Sequence, residues 1–182
     1  MAIRPTVAAE PVTDPGGGNV SFLLDGEIVS VAAGATDSVL DLLRYKLRRT
    51  GTKEGCAEGD CGACTVLLGD ADGDAVKWRA VNACILFVPM LDGRALKTVE
   101  SLSAGGELHP VQREMIDRHG SQCGFCTPGM MMAATGLLNH NPRPTDADIV
   151  HALEGNMCRC TGYVNIVAAV KQASVILLKE AA

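Results

Sequence analysis

The stretch Gly51-Thr-Lys-Glu-Gly-Cys-Ala-Glu-Gly-Asp-Cys-Gly-Ala-Cys64 runs directly into Thr65-Val-Leu-Leu68. A glycine-rich loop ending in a β-branched, apolar run reads as a loop that feeds a strand. Working outward, a turn around Asp70 to Gly73 leads to a second strand over Ala75 to Val81, just before Cys84, and a last strand is expected at about Ala95 to Val99. Upstream, Val20 to Leu24 and Glu27 to Ala32 flank Asp25-Gly26, a strong two-residue hairpin signal. Between hairpin and loop, Thr36 is placed to cap a helix reaching about Arg49. Val39, Leu40, Leu43 and Leu47 line one face of it, while Arg44, Lys46, Arg48 and Arg49 suit the carboxyl end of its dipole and Gly51 closes it. These pieces make a small mixed sheet wrapped on one helix, a first domain over residues 19–98.

Within the loop, Cys56, Cys61 and Cys64 are spaced Cys-x4-Cys-x2-Cys with Cys84 downstream, the arrangement plant-type ferredoxins use for a [2Fe–2S] cluster. A cluster held by four thiolates is anionic, so the chain around it has to supply backbone N–H donors at close range. Glycines at 51, 55, 59 and 62 let the loop curl against the sulfurs. Zinc prefers Cys-x2-4-Cys pairs and fits this loop poorly, and disulfides fit it less.

Past residue 98 the period becomes helical. Pro110 suits a first helical position, followed by Val111, Met115 and Ile116 on an apolar face that ends at His119-Gly120. Thr127-Pro128 opens a second helix with body Met130 to Leu138, Thr145 with Asp148 a third ending at Gly155, and a fourth begins near Tyr163 with Val167, Val170, Ser174 and Leu177 on its side. Four short helices with short connections read as a bundle over residues 99–182. A second cysteine set lies here, Cys123-Gly-Phe-Cys126 with Cys158-Arg-Cys160, each pair ahead of a helix start, where the dipole favours an anionic centre. A thioredoxin-type Cys-x-x-Cys leaves Cys158 and Cys160 unexplained, so a zinc site of four thiolates is the stronger rival on spacing alone.

Composition narrows the function classes. The 182 residues carry a net charge of -5, 3% aromatics and no basic stripe, which argues against nucleic acid as a partner. Residues 1–18 read as a disordered arm with no apolar run, neither a secretory signal nor an anchor, and the most apolar stretch, Tyr163 to Leu178, is interrupted by Asn165, Lys171, Gln172 and Ser174. No membrane association and a cytoplasmic location are therefore expected. In a reducing compartment, eight cysteines point to metal or redox chemistry before disulfides.

The cysteine loop through Val66, Gln122-Cys-Gly-Phe-Cys-Thr-Pro-Gly129 and Gly155-Asn-Met-Cys-Arg-Cys-Thr-Gly-Tyr163 together resemble the iron–sulfur portion of the xanthine dehydrogenase family of molybdenum hydroxylases. The resemblance runs from about residue 20 to 175 and covers all eight cysteines. Arg79-Ala-Val-Asn-Ala-Cys84 and Leu108-His-Pro-Val-Gln112 look most like the xanthine dehydrogenase branch. It implies an α+β fold, a ferredoxin-like β-grasp domain followed by a four-helix bundle domain.

The same resemblance implies two [2Fe–2S] clusters, one on Cys56, Cys61, Cys64 and Cys84 and one on Cys123, Cys126, Cys158 and Cys160, with no substrate-converting site on this chain. The helical cluster would face molybdopterin in a large partner subunit, and Gln122 and Cys160 match the residues that approach the pterin. Electrons would pass from there to the ferredoxin-type cluster and onward to FAD or another acceptor. The chain carries no dinucleotide fingerprint, so FAD is expected on a further subunit of a hetero-oligomer, on a missing part of the chain, or not at all. The implied substrate is a purine such as xanthine or another N-heterocycle. An aldehyde or aromatic thioester oxidoreductase of the same family, a zinc-binding interaction module and a two-cluster ferredoxin acting alone are the alternatives.

Other chemistry-bearing residues receive plainer readings. His109, His119, His140 and His151 sit at helix starts, helix ends or polar faces, where capping or surface roles are expected. Met130-Met131-Met132 reads as adaptable packing. Glu58 and Asp60 flank cluster ligands, where negative charge would disfavour reduction.

Overall fold

The computed structural model describes residues 17–103 and 105–180; the arm expected over residues 1–18 falls outside these up to residue 16, and Gly18 already belongs to a strand. Asp25 and Gly26 both have positive φ, 52° and 88°, and join β1 (Gly18–Leu24) to β2 (Glu27–Ala33) as the dipeptide predicts. Along β1, Val20, Phe22 and Leu24 alternate inward. The carboxylate of Asp25 accepts from both the N–H and the hydroxyl of Thr98, at 2.7 and 2.8 Å, and so fastens the turn to the far end of the domain.

The sheet is completed by β3 (Thr65–Asp72), β4 (Ala75–Asn82) and β5 (Ala95–Lys97), in the order β2-β1-β5-β3-β4, with β1 and β5 parallel and the other pairs antiparallel. The β3–β4 turn falls at Gly73-Asp74, later than the expected Asp70 to Gly73, because β3 continues to Asp72. β5 stops at Lys97, since Val99–Ser101 forms a 3-10 turn capped by Thr98.

The helix expected from Thr36 starts later and ends sooner. Ser38 caps it by accepting from the Asp41 N–H at 3.0 Å, and the α-helical segment α1 (Val39–Asp41) passes at once into a wider helix over Leu42–Lys46, where Leu47 N–H reaches Leu42 O at 2.9 Å. Arg48, at φ 58°, ends the helix before Gly51. Val39, Leu40, Leu42 and Leu43 still pack on Val66 and Leu68 of β3, forming the first core.

Four further helices follow, α2 (Pro110–Asp117), α3 (Thr127–His140), α4 (Asp146–Leu153) and α5 (Val164–Glu180), and surround a second core of Val111, Met115, Met130, Ile149, Ile166 and Val170 among others. Capping boxes at His109/Gln112 and Thr145/Asp148 start α2 and α4. Two expected faces are corrected. Ile116 is 60% exposed, while Glu114 turns inward beside Met115 and pairs with Arg118 at 2.8 Å. On α5 the buried positions are Ile166, Ala169, Val170, Ala173 and Ser174, so of the expected face Val170 and Ser174 are buried while Tyr163, Val167 and Leu177 lie at the margin.

Thr65 to Gly69 of β3 are buried on both faces because α3 covers the side that α1 does not: a Cβ on Gly136 would lie 3.0 Å from Leu67 Cδ2 and 3.3 Å from Ala80 Cβ. Sheet and helices are therefore packed directly against each other. Among the described residues no helix is long and apolar enough to cross a membrane.

Candidate metal centres

The antiparallel register that pairs Thr65 with Asn82 brings Cys64, just before β3, alongside Cys84, just after β4, and Ala83 N–H donates to Cys64 O at 3.2 Å. The loop then wraps its amides around two of the sulfurs. Cys56 Sγ accepts from the N–H groups of Glu58, Asp60 and Cys61 at 3.5, 3.4 and 3.3 Å, and Cys84 Sγ accepts from Gly59 N–H at 3.2 Å. This needs left-handed backbone at Ala57 and Gly59, and Asn82 holds the curl by donating to Gly59 O at 2.8 Å. Glu58 and Asp60 thus serve the sulfurs through their amides, while the residues themselves are exposed.

The electrostatics follow from these donors. The amides of Glu58 and then Cys61 draw the Cys56 thiol down to about 7, whereas burial and the neighbouring Cys64 thiol push Cys84 up to about 11. A concave row of N–H groups favours an anionic sulfur site.

In the helical half, Cys126 occupies the N-cap position of α3, as its place before Thr127-Pro128 predicts. Cys158 and Cys160 lie in the turn between α4 and α5. Its backbone is held by Tyr163, whose hydroxyl accepts from Cys158 N–H at 2.7 Å and donates to Asn156 O at 3.2 Å. The thiols of Cys123 and Cys160 lie 3.6 Å apart, and Cys158 Sγ is 3.1 Å from the Thr161 hydroxyl. Burial and the Cys158 thiol push Cys126 up to about 12; in Cys158 burial acts upward but the Thr161 hydroxyl and backbone donors prevail, and its pKa is lowered.

None of the eight cysteines is in a disulfide; they gather in two sets, and within each set the sulfurs stand in pairs: Cys56 with Cys61, Cys64 with Cys84, Cys123 with Cys160, Cys126 with Cys158. A two-iron cluster takes two protein ligands on each iron, so paired thiols suit it. Among the described residues no three His, Cys, Asp or Glu side chains converge as one metal ion would require. The second set is asymmetric toward solvent: Cys126 and Cys158 lie inward, Cys123 and Cys160 are exposed, and Gln122 is exposed next to Cys123.

The two sets meet. A cavity of about 270 Å³ is lined by Cys61 from the first set and by Cys123, Cys126, Cys158 and Cys160 from the second, with Phe125 beside them. Met157 N–H donates to Cys61 O at 2.9 Å, so the cysteine-bearing turns are joined backbone to backbone.

Asn156, only 5% exposed, adds a side-chain link that no motif in the sequence marks. Tyr163, expected on the face of the last helix, also clamps the turn between α4 and α5 through its hydroxyl. An Asn in a loop carries no sign of its burial, and only its neighbours Met157 and Cys158 hinted at a role. The histidines stay outside both sets: His109 caps α2, His140 contacts Trp78 O and His151 pairs with Glu154. Met130 and Met132 are core residues.

Two family models match, one described as a 2Fe-2S iron-sulfur cluster binding domain over residues 22–89 and one as a [2Fe-2S] binding domain over residues 98–171. The chain is a protein of two [2Fe–2S] modules. It is 45% identical over 150 residues to the nicotine 6-hydroxylase small subunit of Paenarthrobacter nicotinovorans, covering 82% of this chain and 86% of that one. It is 50% identical over 129 residues to the xanthine dehydrogenase of Drosophila subobscura, covering 69% of this chain but 10% of that much longer one. Quinoline 2-oxidoreductase from Pseudomonas putida 86 superposes with a TM-score of 0.81 at 32% identity, covering 91% of this chain and 98% of the matched chain. The chain belongs to the small iron–sulfur subunits and domains of the xanthine dehydrogenase, or molybdenum hydroxylase, family.

Proposed function

We propose that this chain is the electron-transfer subunit of a molybdenum hydroxylase that oxidises an N-heterocycle, relaying electrons from molybdopterin on a large partner subunit toward FAD on a further one. The observation that carries the reading is the arrangement of eight thiols as two sets of sulfur pairs whose loops share the Met157–Cys61 hydrogen bond. Cys56, Cys61, Cys64 and Cys84 would hold one cluster, and Cys123, Cys126, Cys158 and Cys160 the other. Bound there, a [2Fe–2S] cluster supplies a one-electron carrier.

This chain's own residues hold and tune. The amides of Glu58, Gly59, Asp60 and Cys61 face sulfur and favour negative charge there. Exposed Gln122 and Cys160, flanked by the exposed apolar side chains of Phe125 and Met157, form the contact for the molybdopterin subunit. The N-heterocycle substrate class rests on the relatives named for nicotine and quinoline. The architecture we assign is a β-grasp domain over residues 19–98 followed by a four-helix bundle over 99–182, in a cytoplasmic hetero-oligomer.

Iron, zinc and acid-labile sulfide analysis of the purified protein, with its visible spectrum, tests the reading. Iron and sulfide in equal amounts with a large co-purifying subunit are expected. Zinc without iron would overturn it, and iron without a large partner would leave a free ferredoxin instead.

A further inference from the structure

We propose that Asn156 is the positioning residue that holds the two cluster-bearing loops in register for electron exchange between them; this rests on the relay function proposed above. Both hydrogens of its amide are used across the junction. Nδ2 donates to Gly62 O at 2.8 Å and to Thr65 Oγ1 at 3.0 Å, and Thr65 Oγ1 itself donates to Gly62 O at 2.7 Å. Gly62 lies between Cys61 and Cys64, and Thr65 follows Cys64, so the side chain grips the first ligand loop on either side of a cysteine.

Its backbone is anchored in the second loop. Asn156 N–H donates to Leu153 O at 2.9 Å at the end of α4, and Asn156 O accepts from the Tyr163 hydroxyl that also receives Cys158 N–H. The next residue is Met157, whose N–H meets Cys61 O. The start of α3 closes the junction from the third side: a Cβ on Gly129 would lie 2.2 Å from Gly62 O and 3.2 Å from Asn156 Nδ2. Asn156 therefore touches the segments carrying Cys61, Cys64 and Cys158 and adjoins the helix that begins at Cys126.

This has a physical reason beyond packing. A buried amide is costly unless its donors are satisfied, and here only the mutual register of the two loops satisfies them. Sliding either loop would leave a buried donor unpaired as well as stretch Met157–Cys61. Electron tunnelling falls steeply with distance, so a residue that removes slack between the loops sets the rate without touching either metal centre.

The test uses the intact, cluster-loaded complex with Asn156→Ala. Iron and sulfide per chain should stay at the wild-type value. In samples matched for both cluster signals, the magnetic splitting between the two reduced clusters seen by EPR should shrink. The Met157 amide should exchange with deuterium about fivefold faster for each net hydrogen bond lost. Wild-type splitting and exchange in a fully loaded Asn156→Ala complex overturn the proposal. Should that variant fail to load, Thr65→Val decides: it removes one acceptor at similar volume, and an unchanged splitting there overturns the proposal equally. Absence of two cluster signals in the wild-type complex would sink the relay function itself, which is a separate outcome.

Discussion

The amide of Met157 donates to the carbonyl oxygen of Cys61 at 2.9 Å, although the Met157 residue is 56% exposed. Exposure and backbone protection are thereby decoupled at one residue. In hydrogen-exchange mass spectrometry the Met157 amide is expected to exchange as slowly as core amides of β3, and not like neighbouring exposed loop amides. Exchange at the rate of an open loop would show that the two cysteine turns are not joined.

Gly62 has φ +69° and a Cβ there would lie 2.2 Å from Gly155 O, in backbone that cannot yield cheaply. Gly73 has a similar φ of +61° with nothing within 4 Å. Gly62→Ala should cost about 3 kcal/mol or more, from strain and overpacking together, and lower the iron content of both sets. Gly73→Ala should cost about 1 kcal/mol and leave iron unchanged. Denaturant titrations of the two variants make the comparison, and equal costs would refute the close approach.

His109 caps α2 by accepting from Val111 N–H through Nδ1 at 3.2 Å, which requires the neutral ring. Burial, foremost, holds its pKa below the ordinary 6.5, with Lys97 acting the same way and Glu180 opposing. The folded state thus binds fewer protons than the unfolded one. The cap's contribution, about 1 kcal/mol, is complete above the unfolded value and is lost as pH falls through the folded one. His109→Asn keeps a cap without titrating, so the difference in melting temperature between variant and wild type should change below about pH 6.5 and be flat above it. A difference independent of pH would remove the titrating cap.

Cys160 and Cys84 belong to different sulfur sets. Cys160→Ala should leave about half of the iron in place and preserve the loop-type cluster signal, because the four thiols of the first set are untouched. Iron analysis with EPR reads this directly, and loss of both signals would contradict two independent centres.

What sequence reading reached was local in origin. Asp25-Gly26 needs two positive φ angles and shows them, and Thr145 with Asp148 forms its capping box within one turn. The cysteine spacings are legible because Cys56, Cys61 and Cys64, like the pairs Cys123/Cys126 and Cys158/Cys160, fall within short stretches of sequence. The first helix starts at Ser38 rather than Thr36 because Ser38-Val-Leu-Asp41 caps it within one turn, and its passage into wider hydrogen bonding has no mark in the periodicity of leucines. Glu114, not Ile116, lies inward on α2, where Arg118 pairs with its carboxylate at the core edge. The burial of Leu67 on the second face of β3, and that of Asn156, depend on segments far away in the chain, where local periodicity carries no information.

The connection between the halves includes Ser103 and Gly105 to Leu108, which are exposed and so bury little of either half. Adhesion comes instead from Gly129 seated on Gly62, Gly136 on Leu67, and the Asn156 amide. A protease nick in that exposed segment should therefore yield two fragments that still travel together through a sizing column, so that the molecule could be made and reassembled as separate pieces.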